Sequence, residues 1–579
     1  MKYTFKQTLV SSLLLYGLLS LAAAWGAIPI DLRYHSMPLL AAESGSSFKT
    51  ISTYTDFKHH QHIRMQQMYQ GYPVWGANVI QHSPGATLLS VSAKQTHRNG
   101  LVYQGLSADL TSSKSVSASV SANQEDAAIR QVTKLYQAQN KNANTNIIKS
   151  QANRLVYVDK GNKAHWAYYV EFLAQKDNKL DQPVYILDAD TYQVYQSWNN
   201  LHTINDSKED ERVDGGGYGA RFKLYDGIAN PSFSILRDAS TAICYLKGFA
   251  GKLTLPMDSF AVYNGEGRDP IGVLTDLASL SLSQFDCKEK SLQHHGIYWN
   301  DTSTFFADND AFYHTNVTNN MYLAWYKTVV VANYGAPDET NDSGLLPIPV
   351  YAHVNMSNAA WMGPFKLILL GEGDDAFAPF TSLDVVAHEL AHGFTEQHAN
   401  LVYNGQSGGL NEAFSDMSGA AASYFSTGET LWTIGASISK TGDTFRYMDN
   451  PRHDCVGKKP YEVIAGYQIR QCSIDHMKDY KDGSVEILGN TSTFVDVHFS
   501  SGIFNKAFYL MAQGWGGDKQ GGTHKAFDVM VQANRGYWTP NTTFQDAACG
   551  VMEATHDYGY DESVVTKAMA AVGLDTTAC

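Results

Sequence analysis

Two histidines and a glutamate in Asp384-Val385-Val386-Ala387-His388-Glu389-Leu390-Ala391-His392 form the pattern His-Glu-x-x-His. Residues four apart on an α-helix are offset by only about 40°, since each turns about 100°. His388 and His392 then share one face and can hold one metal ion, with Glu389 beside them to polarise a water. Val386, Ala387, Leu390 and Phe394 give the other faces something to bury, which predicts a helix. So short a pattern also arises by chance on solvated helices. A catalytic zinc needs a third protein ligand and one position left for water. The candidate third ligand is Glu412, in Gly408-Gly409-Leu410-Asn411-Glu412-Ala413-Phe414-Ser415-Asp416. The two glycines predict a turn, and the residues after them a second helix running back antiparallel. Asp416 lies one turn beyond Glu412 on the same face. It can accept a hydrogen bond from the second ring nitrogen of a ligand histidine, fixing the tautomer.

The rest of the chain must position these groups. Phe48 to about Val91 reads as strand-like alternation, with a turn marked by Gly71 and Pro73 inside the piece Met68 to Ile80. Residues 28–46 read as a loose lead, and Ser107 to Asn123 as a Ser-rich linker. Glu125 to Gln137 has helical spacing in Ala128, Ile129, Val132, Leu135 and Tyr136. Strands follow at 154–158, 167–172, 183–187 and 193–195, with a turn at Asp188-Ala189-Asp190-Thr191. The polar run Asn205–Arg212 before Gly215-Gly216-Gly217 reads as an exposed linker open to proteolysis. Short extended segments continue to about Gly363, with one amphipathic helix at 310–333. After Leu383 helical patterns dominate: 411–425, 501–511, 525–534, 543–558 and 562–572, with Thr543 and Asp561 as N-caps. His59-His60-Gln61-His62 lacks an acidic or cysteine partner in the sequence nearby and reads as a solvated patch.

The 579 residues are too many for one simple domain and ample for a large core. A net charge of -14 argues against a general nucleic-acid binder, whose phosphate contacts need clustered Lys and Arg. Met1-Lys2 and Lys6, an apolar run from Leu9 to Ala24 and small residues at its end read as a secretory signal over 1–24. The competing reading, a membrane anchor, is disfavoured by Ser11, Ser12, Tyr16, Gly17 and Ser20 within the run. No later apolar run reaches the ~18 residues of a membrane span, so stable membrane insertion is not expected. The six cysteines, Cys244, Cys287, Cys455, Cys472, Cys549 and Cys579, suit disulfides in an exported chain. Of the about fifteen possible pairings, neighbour pairing is simplest: Cys244–Cys287, Cys455–Cys472 and Cys549–Cys579.

Taken together, His388-Glu389-x-x-His392 and Asn411-Glu412-x-x-Ser415-Asp416 resemble the thermolysin family of zinc endopeptidases. Asn358-Ala359-Ala360-Trp361 resembles the family's substrate-binding edge, and Gly442–Met448 the segment carrying its substrate-binding arginine. Val495–Gly502 resembles its active-site histidine segment. The run from Gly393 to Met417, and Ala548-Cys549-Gly550-Val551 with Cys579, are closest to the pseudolysin and vibriolysin branch. The similarity covers about 215–575. The segment 48–200, with Gln70-Gly71-Tyr72-Pro73-Val74-Trp75-Gly76, resembles the family's propeptide.

The resemblance implies an α+β fold, a two-lobed thermolysin-like catalytic domain preceded by an α+β propeptide. The expected divisions are a signal peptide at 1–24, a propeptide at 25–205, a β-rich lobe at 206–382 and a helical lobe at 383–579. It implies one zinc ion on His388, His392 and Glu412, with Glu389 as general base and then acid. His498 and Tyr403 would donate to the oxyanion, and Asp496 would orient His498. Arg446, Asn358 and the Ala359 carbonyl would hold the substrate backbone. Phe377, Phe380, Val385 and Phe445 would line the pocket after the scissile bond, favouring a large apolar residue there. Ordinary core packing is the alternative for these four. The branch's acidic calcium ligands align with Ala420 and Ser423, leaving Asp384 alone, a poor calcium site, so Ca2+ is doubtful.

The implied partners are protein and peptide substrates and the chain's own propeptide, acting as folding aid and inhibitor and cut away within 202–214. The mature protein is expected as a secreted monomer. The rival is a catalytically dead relative that binds zinc or peptides. Retention of Glu389, Tyr403, Arg446 and His498 together speaks against it. A metzincin would use His398 as third ligand but needs a glycine where Thr395 stands, so His398 is expected at the surface.

Overall fold

A computed structural model describes residues 26–33, 45–83, 97–110, 121–140, 145–176, 179–202, 234–238, 243–249, 258–282, 284–286, 306–334, 345–442, 444–464, 466–487, 490–577 and 579. The expected signal peptide, residues 203–214 of the expected 202–214 cleavage region and Cys287 lie outside the described residues. The chain divides into two compact units. The first comprises residues up to Ala174 and Gln182–Trp198. The second comprises Gln175–Asp181 and Asn199–Cys579.

The first unit is built on one large sheet. One hairpin pairs Gln61–Tyr69 with Tyr72–Ser83. The turn is Gln70-Gly71, both at positive φ (49° and 85°), the backbone of a two-residue hairpin turn matched to strand twist. Gly71 is therefore part of the turn, as read from sequence, but Pro73 lies in the following strand. The segment expected as a loose lead holds a strand, Ile28–Asp31, paired with Leu101–Gln104. Within the expected linker, Leu106–Leu110 is helical, and helix α1 (Ser121–Gln139) begins four residues before the predicted 125. Ser-rich composition only weakly opposes a helix, and the apolar stripe overrides it. Ala128, Val132 and Tyr136 of α1 pack on Tyr168, Val170, Phe172, Tyr185 and Leu187 of the sheet.

His62 corrects the expectation of a solvated histidine patch. It is buried. Its Nε2 lies 3.2 Å from Asp56 Oδ2 and its Nδ1 2.8 Å from His82 Nδ1. The hairpin register sets His62 opposite His82, and the Asp56 partner is reached across a turn.

In the second unit, strands 258–264, 348–354 and 367–371 run parallel in a seven-stranded sheet, and Ala359–Met362 closes one edge antiparallel to Leu367–Leu370. Helix α2 (Phe306–Tyr326) starts and stops earlier than the predicted 310–333, because Val330 and Val331 leave the helix for the core. Helix α3 (Leu383–Gln397) is buried from Asp384 to Thr395, so even its polar residues are inside. Helix α4 (Gly405–Thr427) follows, then α5 (Gly502–Gly514), α6 (Gly522–Gly536), α7 (Phe544–Tyr558) and α8 (Glu562–Ala571). Thr543 and Asp561 cap α7 and α8, as expected, and Thr543 completes a capping box with Asp546.

Gly408 and Gly409 do not make the predicted turn. They lie inside the first turns of α4 because their neighbours come too close for a side chain. A Cβ on Gly408 would sit 2.5 Å from Val497 Cγ1, and one on Gly409 2.3 Å from Ser500 Oγ. The cysteines form Cys455–Cys472 and Cys549–Cys579 bonds, two of the three neighbour pairs.

Candidate active site

Helices α3 and α4 bring His388, His392 and Glu412 together, all fully buried. One ligand atom from each falls within 4.8 Å of the others. The two Nε2 atoms are 3.0 Å apart, and Glu412 lies 3.5 Å from His388 Nε2 and 3.3 Å from His392 Nε2.

The other ring nitrogens are engaged. His388 Nδ1 lies 2.9 Å from Asp416 Oδ1, and an ionised carboxylate can only accept, so Nδ1 carries the proton. His392 Nδ1 donates to Asn411 Oδ1 at 2.9 Å, and Asn411 Nδ2 is tied to the Leu401 carbonyl. Both Nε2 lone pairs therefore face the same point. Glu412 Oε2 is buried there and accepts no hydrogen bond. Two neutral imidazoles and a carboxylate, each oriented from behind, fit a catalytic zinc.

Electrostatics favour a neutral donor at His388. Burial lowers the His388 pKa to about 4, so the ring is neutral at pH 7. For His392 burial acts downward too, but the hydrogen bond and charge of Glu412 raise it overall. Burial works to raise Glu412, yet the surrounding His498, His388 and His392 hold it well below the carboxylate range. Asp416 is drawn down to about 2: burial opposes this, and Arg446 and His388 outweigh it.

Asp416 is the hub of a network that extends beyond the sequence motif. Arg446 Nε and Nη2 donate to its two oxygens at 2.7 Å each, and Asn505 Nδ2 donates at 2.8 Å. Arg446, expected at the substrate, thus commits two donors to Asp416. Asn505 and the orienting role of Asn411 are additions. No local pattern marks Asn505, 89 residues from Asp416. Asn411 could have been suspected from its place one residue before Glu412.

Glu389 lies beside the ligands with Oε1 buried and without a hydrogen bond. Its Oε2 accepts the Trp361 backbone N–H at 2.8 Å. Burial pushes its carboxyl up to about 8. Tyr403 Oη donates to Glu412 and lies 3.3 Å from His498 Nε2. Asp496 caps the short helix Val497–Ser500 and accepts from both the backbone N–H of His498 (2.9 Å) and its Nδ1 (2.6 Å). Asn358 and Ala359 lie at the start of the edge strand, where Asn358 Oδ1 accepts the Ala359 N–H at 2.9 Å.

Phe377, Phe380 and Phe445 form one aromatic cluster, with centroids 4.5 to 6.0 Å apart. Phe380 and Val385 are fully buried, whereas Phe377 and Phe445 are partly exposed. Asp384 is buried, and Oδ2 accepts the Gly435 N–H at 2.7 Å. Ser423 Oγ donates to the Glu429 carbonyl and accepts from Leu431 N. His398 is half-buried rather than at the surface: it stacks on Phe394 and its Nδ1 donates to the Phe394 carbonyl at 2.8 Å.

A helix-borne histidine pair, a carboxylate returned by the next helix, a neighbouring glutamate and a second histidine–aspartate pair define a metal-dependent hydrolase. Residues 270–396 match the thermolysin metallopeptidase catalytic domain and 399–574 its alpha-helical domain. Residues 46–94 match the fungalysin/thermolysin propeptide motif. The zinc metalloproteinase MspA of Legionella longbeachae is 34% identical over 550 residues, covering 93% of this chain and 90% of that protein. A zinc metalloproteinase of Legionella pneumophila is 33% identical over 558 residues, with the same shares. The hemagglutinin/proteinase of Vibrio cholerae is 29% identical over 547 residues, 94% of this chain and 75% of that one. The chain belongs to the thermolysin metallopeptidase family. It is a metalloendopeptidase that carries a propeptide.

Proposed function

We propose that the protein is secreted as a proenzyme and hydrolyses peptide bonds of proteins with one zinc ion held by His388, His392 and Glu412. The observation that carries this reading is the buried cluster of three donor atoms with Glu389 beside it. Zinc, when bound, supplies Lewis acidity, polarising the scissile carbonyl and lowering the pKa of a water from 15.7 to about 7.

The chain's residues do the rest. Glu389 Oε1, free of hydrogen bonds and held by Trp361 through Oε2, takes the proton of the attacking water. It then returns a proton to the leaving amine. His498, oriented by Asp496, and the Tyr403 hydroxyl donate to the developing oxyanion; removing one such donor costs roughly 3–4 kcal/mol. Asp416 and Asn411 hold the ligand rings in the required tautomers.

The edge strand Ala359–Met362 receives the substrate backbone as an added strand, through the Ala359 carbonyl, with Asn358 and Arg446 at the substrate carbonyls. Backbone reading gives broad sequence tolerance. Phe377, Phe380, Val385 and Phe445 line the pocket that takes a large apolar residue after the scissile bond. Asp384 accepts from the Gly435 N–H and the Ser437 hydroxyl, which supports a chain without calcium there.

The propeptide is removed by a cut within 202–214, leaving a secreted monomer whose β-rich and helical lobes span 206–382 and 383–579. Among the described residues no helix is long and apolar enough to cross a membrane.

The test pairs zinc stoichiometry on the mature protein with casein hydrolysis by wild type and Glu389→Ala. One zinc per chain and an inactive variant are expected. Full activity of Glu389→Ala would sink the mechanism. Bound zinc with no hydrolysis by wild type would favour the dead-relative reading.

A further inference from the structure

Asp384 lies in the first turn of α3, beside Val385, and is buried. A buried carboxylate is costly unless its oxygens are engaged. Its Oδ2 accepts the Gly435 N–H at 2.7 Å, and its Oδ1 the Ser437 hydroxyl at 3.4 Å. Both donors belong to one short loop, so the side chain fastens that loop to α3.

The same loop borders two rings of the aromatic cluster. At its start Ile434 pairs with Arg446, and the Ile434 carbonyl accepts the Phe445 N–H at 3.0 Å. At its end Ser439 forms a bridge with Phe377, and the Ile438 carbonyl accepts the Ala378 N–H at 2.8 Å. Gly435 sits at a φ of 81° and lies directly against Phe445: a Cβ there would stand 2.3 Å from Phe445 Cδ2. The N–H that Asp384 accepts therefore belongs to the residue touching the Phe445 ring. Val385, the other neighbour, is the next residue of α3. One carboxylate joins the helix that carries Val385 to the loop that borders Phe377 and Phe445.

We infer that Asp384 is a positioning residue for the pocket after the scissile bond, holding the 434–440 loop on α3 so that Phe377 and Phe445 keep their places beside Val385. The inference rests on the pocket reading above and deepens it. Asp384 touches no substrate. It acts through Gly435 and Ser437, and what it sets is discrimination between large and small apolar residues. Arg446 follows Phe445 in the same strand but is held separately, by two bonds of 2.7 Å to Asp416. Loosening the loop therefore disturbs the rings more than the arginine, and selectivity more than chemistry.

The test uses the active enzyme and two peptides that differ only after the scissile bond, Leu in one and Ala in the other. Asp384→Ala removes both acceptors, and its Leu/Ala ratio of kcat/KM should fall about tenfold. The fall should come from a raised KM for the Leu peptide, with zinc content and kcat on the Ala peptide unchanged. Asp384→Asn should restore most of the ratio. Its Oδ1 still accepts from Gly435, and its amide can donate to the Ser437 hydroxyl, which accepts as readily as it donates. Calcium added to the zinc-loaded wild type in calcium-free buffer should leave its melting temperature where it was.

An unaltered ratio in Asp384→Ala, with Phe445→Ala still lowering it, would overturn the role of Asp384 and leave the pocket standing. An unaltered ratio in both variants would overturn the pocket as well. A calcium-induced rise in melting temperature that Asp384→Asn abolishes would assign the carboxylate to a cation instead of the loop. If Asp384→Ala fails to fold by circular dichroism, Asp384→Ser replaces it with the same expected fall, since its hydroxyl is one bond too short to reach Gly435.

Discussion

The backbone N–H of Trp361 donates to Glu389 Oε2 at 2.8 Å. The bond ties the edge strand of the sheet to Glu389 on α3, so the element proposed to receive substrate also aims the proposed general base. The other oxygen, Oε1, is left free. Glu389→Gln keeps the shape and loses the base. Its kcat should fall by about 10²–10⁴-fold with zinc content unchanged. Casein hydrolysis with parallel metal analysis checks this, and a variant that lost its zinc as well would point to a structural role.

Asn411 holds His392 as Asp416 holds His388. Asn411→Ala should weaken zinc binding by about 10–100-fold while leaving the fold intact. Competition with a chromogenic chelator measures it. Unchanged affinity would mean that Ser415, 3.2 Å from the same nitrogen, suffices alone.

His498 lies between two carboxylates. Burial works to lower its pKa, but Glu412 and Asp496 raise it to about 10. A histidine with a raised folded pKa contributes stability fully below its ordinary 6.5, and that contribution is lost as pH climbs through about 10. The imidazolium is also the form that donates from Nε2. Activity should therefore decline on the alkaline side as His498 loses its proton, and zinc on Glu412 will draw that limb below 10 by offsetting the carboxylate charge. A profile of kcat/KM against pH for wild type and His498→Ala tests the assignment. The limb should vanish in the variant.

Phe445 is partly exposed and packs on Phe377 with centroids 4.5 Å apart. Phe445→Ala should enlarge the pocket and cut the preference for a large apolar residue after the scissile bond, by roughly 1–3 kcal/mol in kcat/KM. Cleavage of paired peptides differing only at that residue gives the number. An unaltered ratio would return Phe445 to ordinary core packing.

Gly408 has no room for a methyl group, with Val497 Cγ1 2.5 Å from the place a Cβ would take. Gly408→Ala should destabilise by about 1–3 kcal/mol through overpacking. It should also reduce activity, because Val497 precedes His498 in the same short helix. Thermal melting and hydrolysis rates check both halves.

Much of the site was legible in the chain because helical spacing alone places its members. His388, Glu389 and His392 share one helix, and Glu412 and Asp416 share the next at a one-turn interval, so local periodicity fixes both sets. The strands at 154–158, 167–172 and 183–187 and the caps at Thr543 and Asp561 were readable for the same reason. What misled was context. Gly408-Gly409 carries the composition of a turn, yet lies in a helix whose neighbours approach too closely for side chains. His62 looked solvated because Asp56 and His82 become its partners only through a turn and a strand register.

The sequence by itself set His388 beside His392 and Glu412 beside Asp416, since residues one helical turn apart have no choice of where they stand. Only the tertiary structure decided the long-range partners: Trp361 on Glu389, Asn505 and Arg446 on Asp416, and His202 on Tyr403. Each of these joins residues far apart in the chain, where no period constrains spacing and only packing of the finished core brings the groups within hydrogen-bond or ring contact.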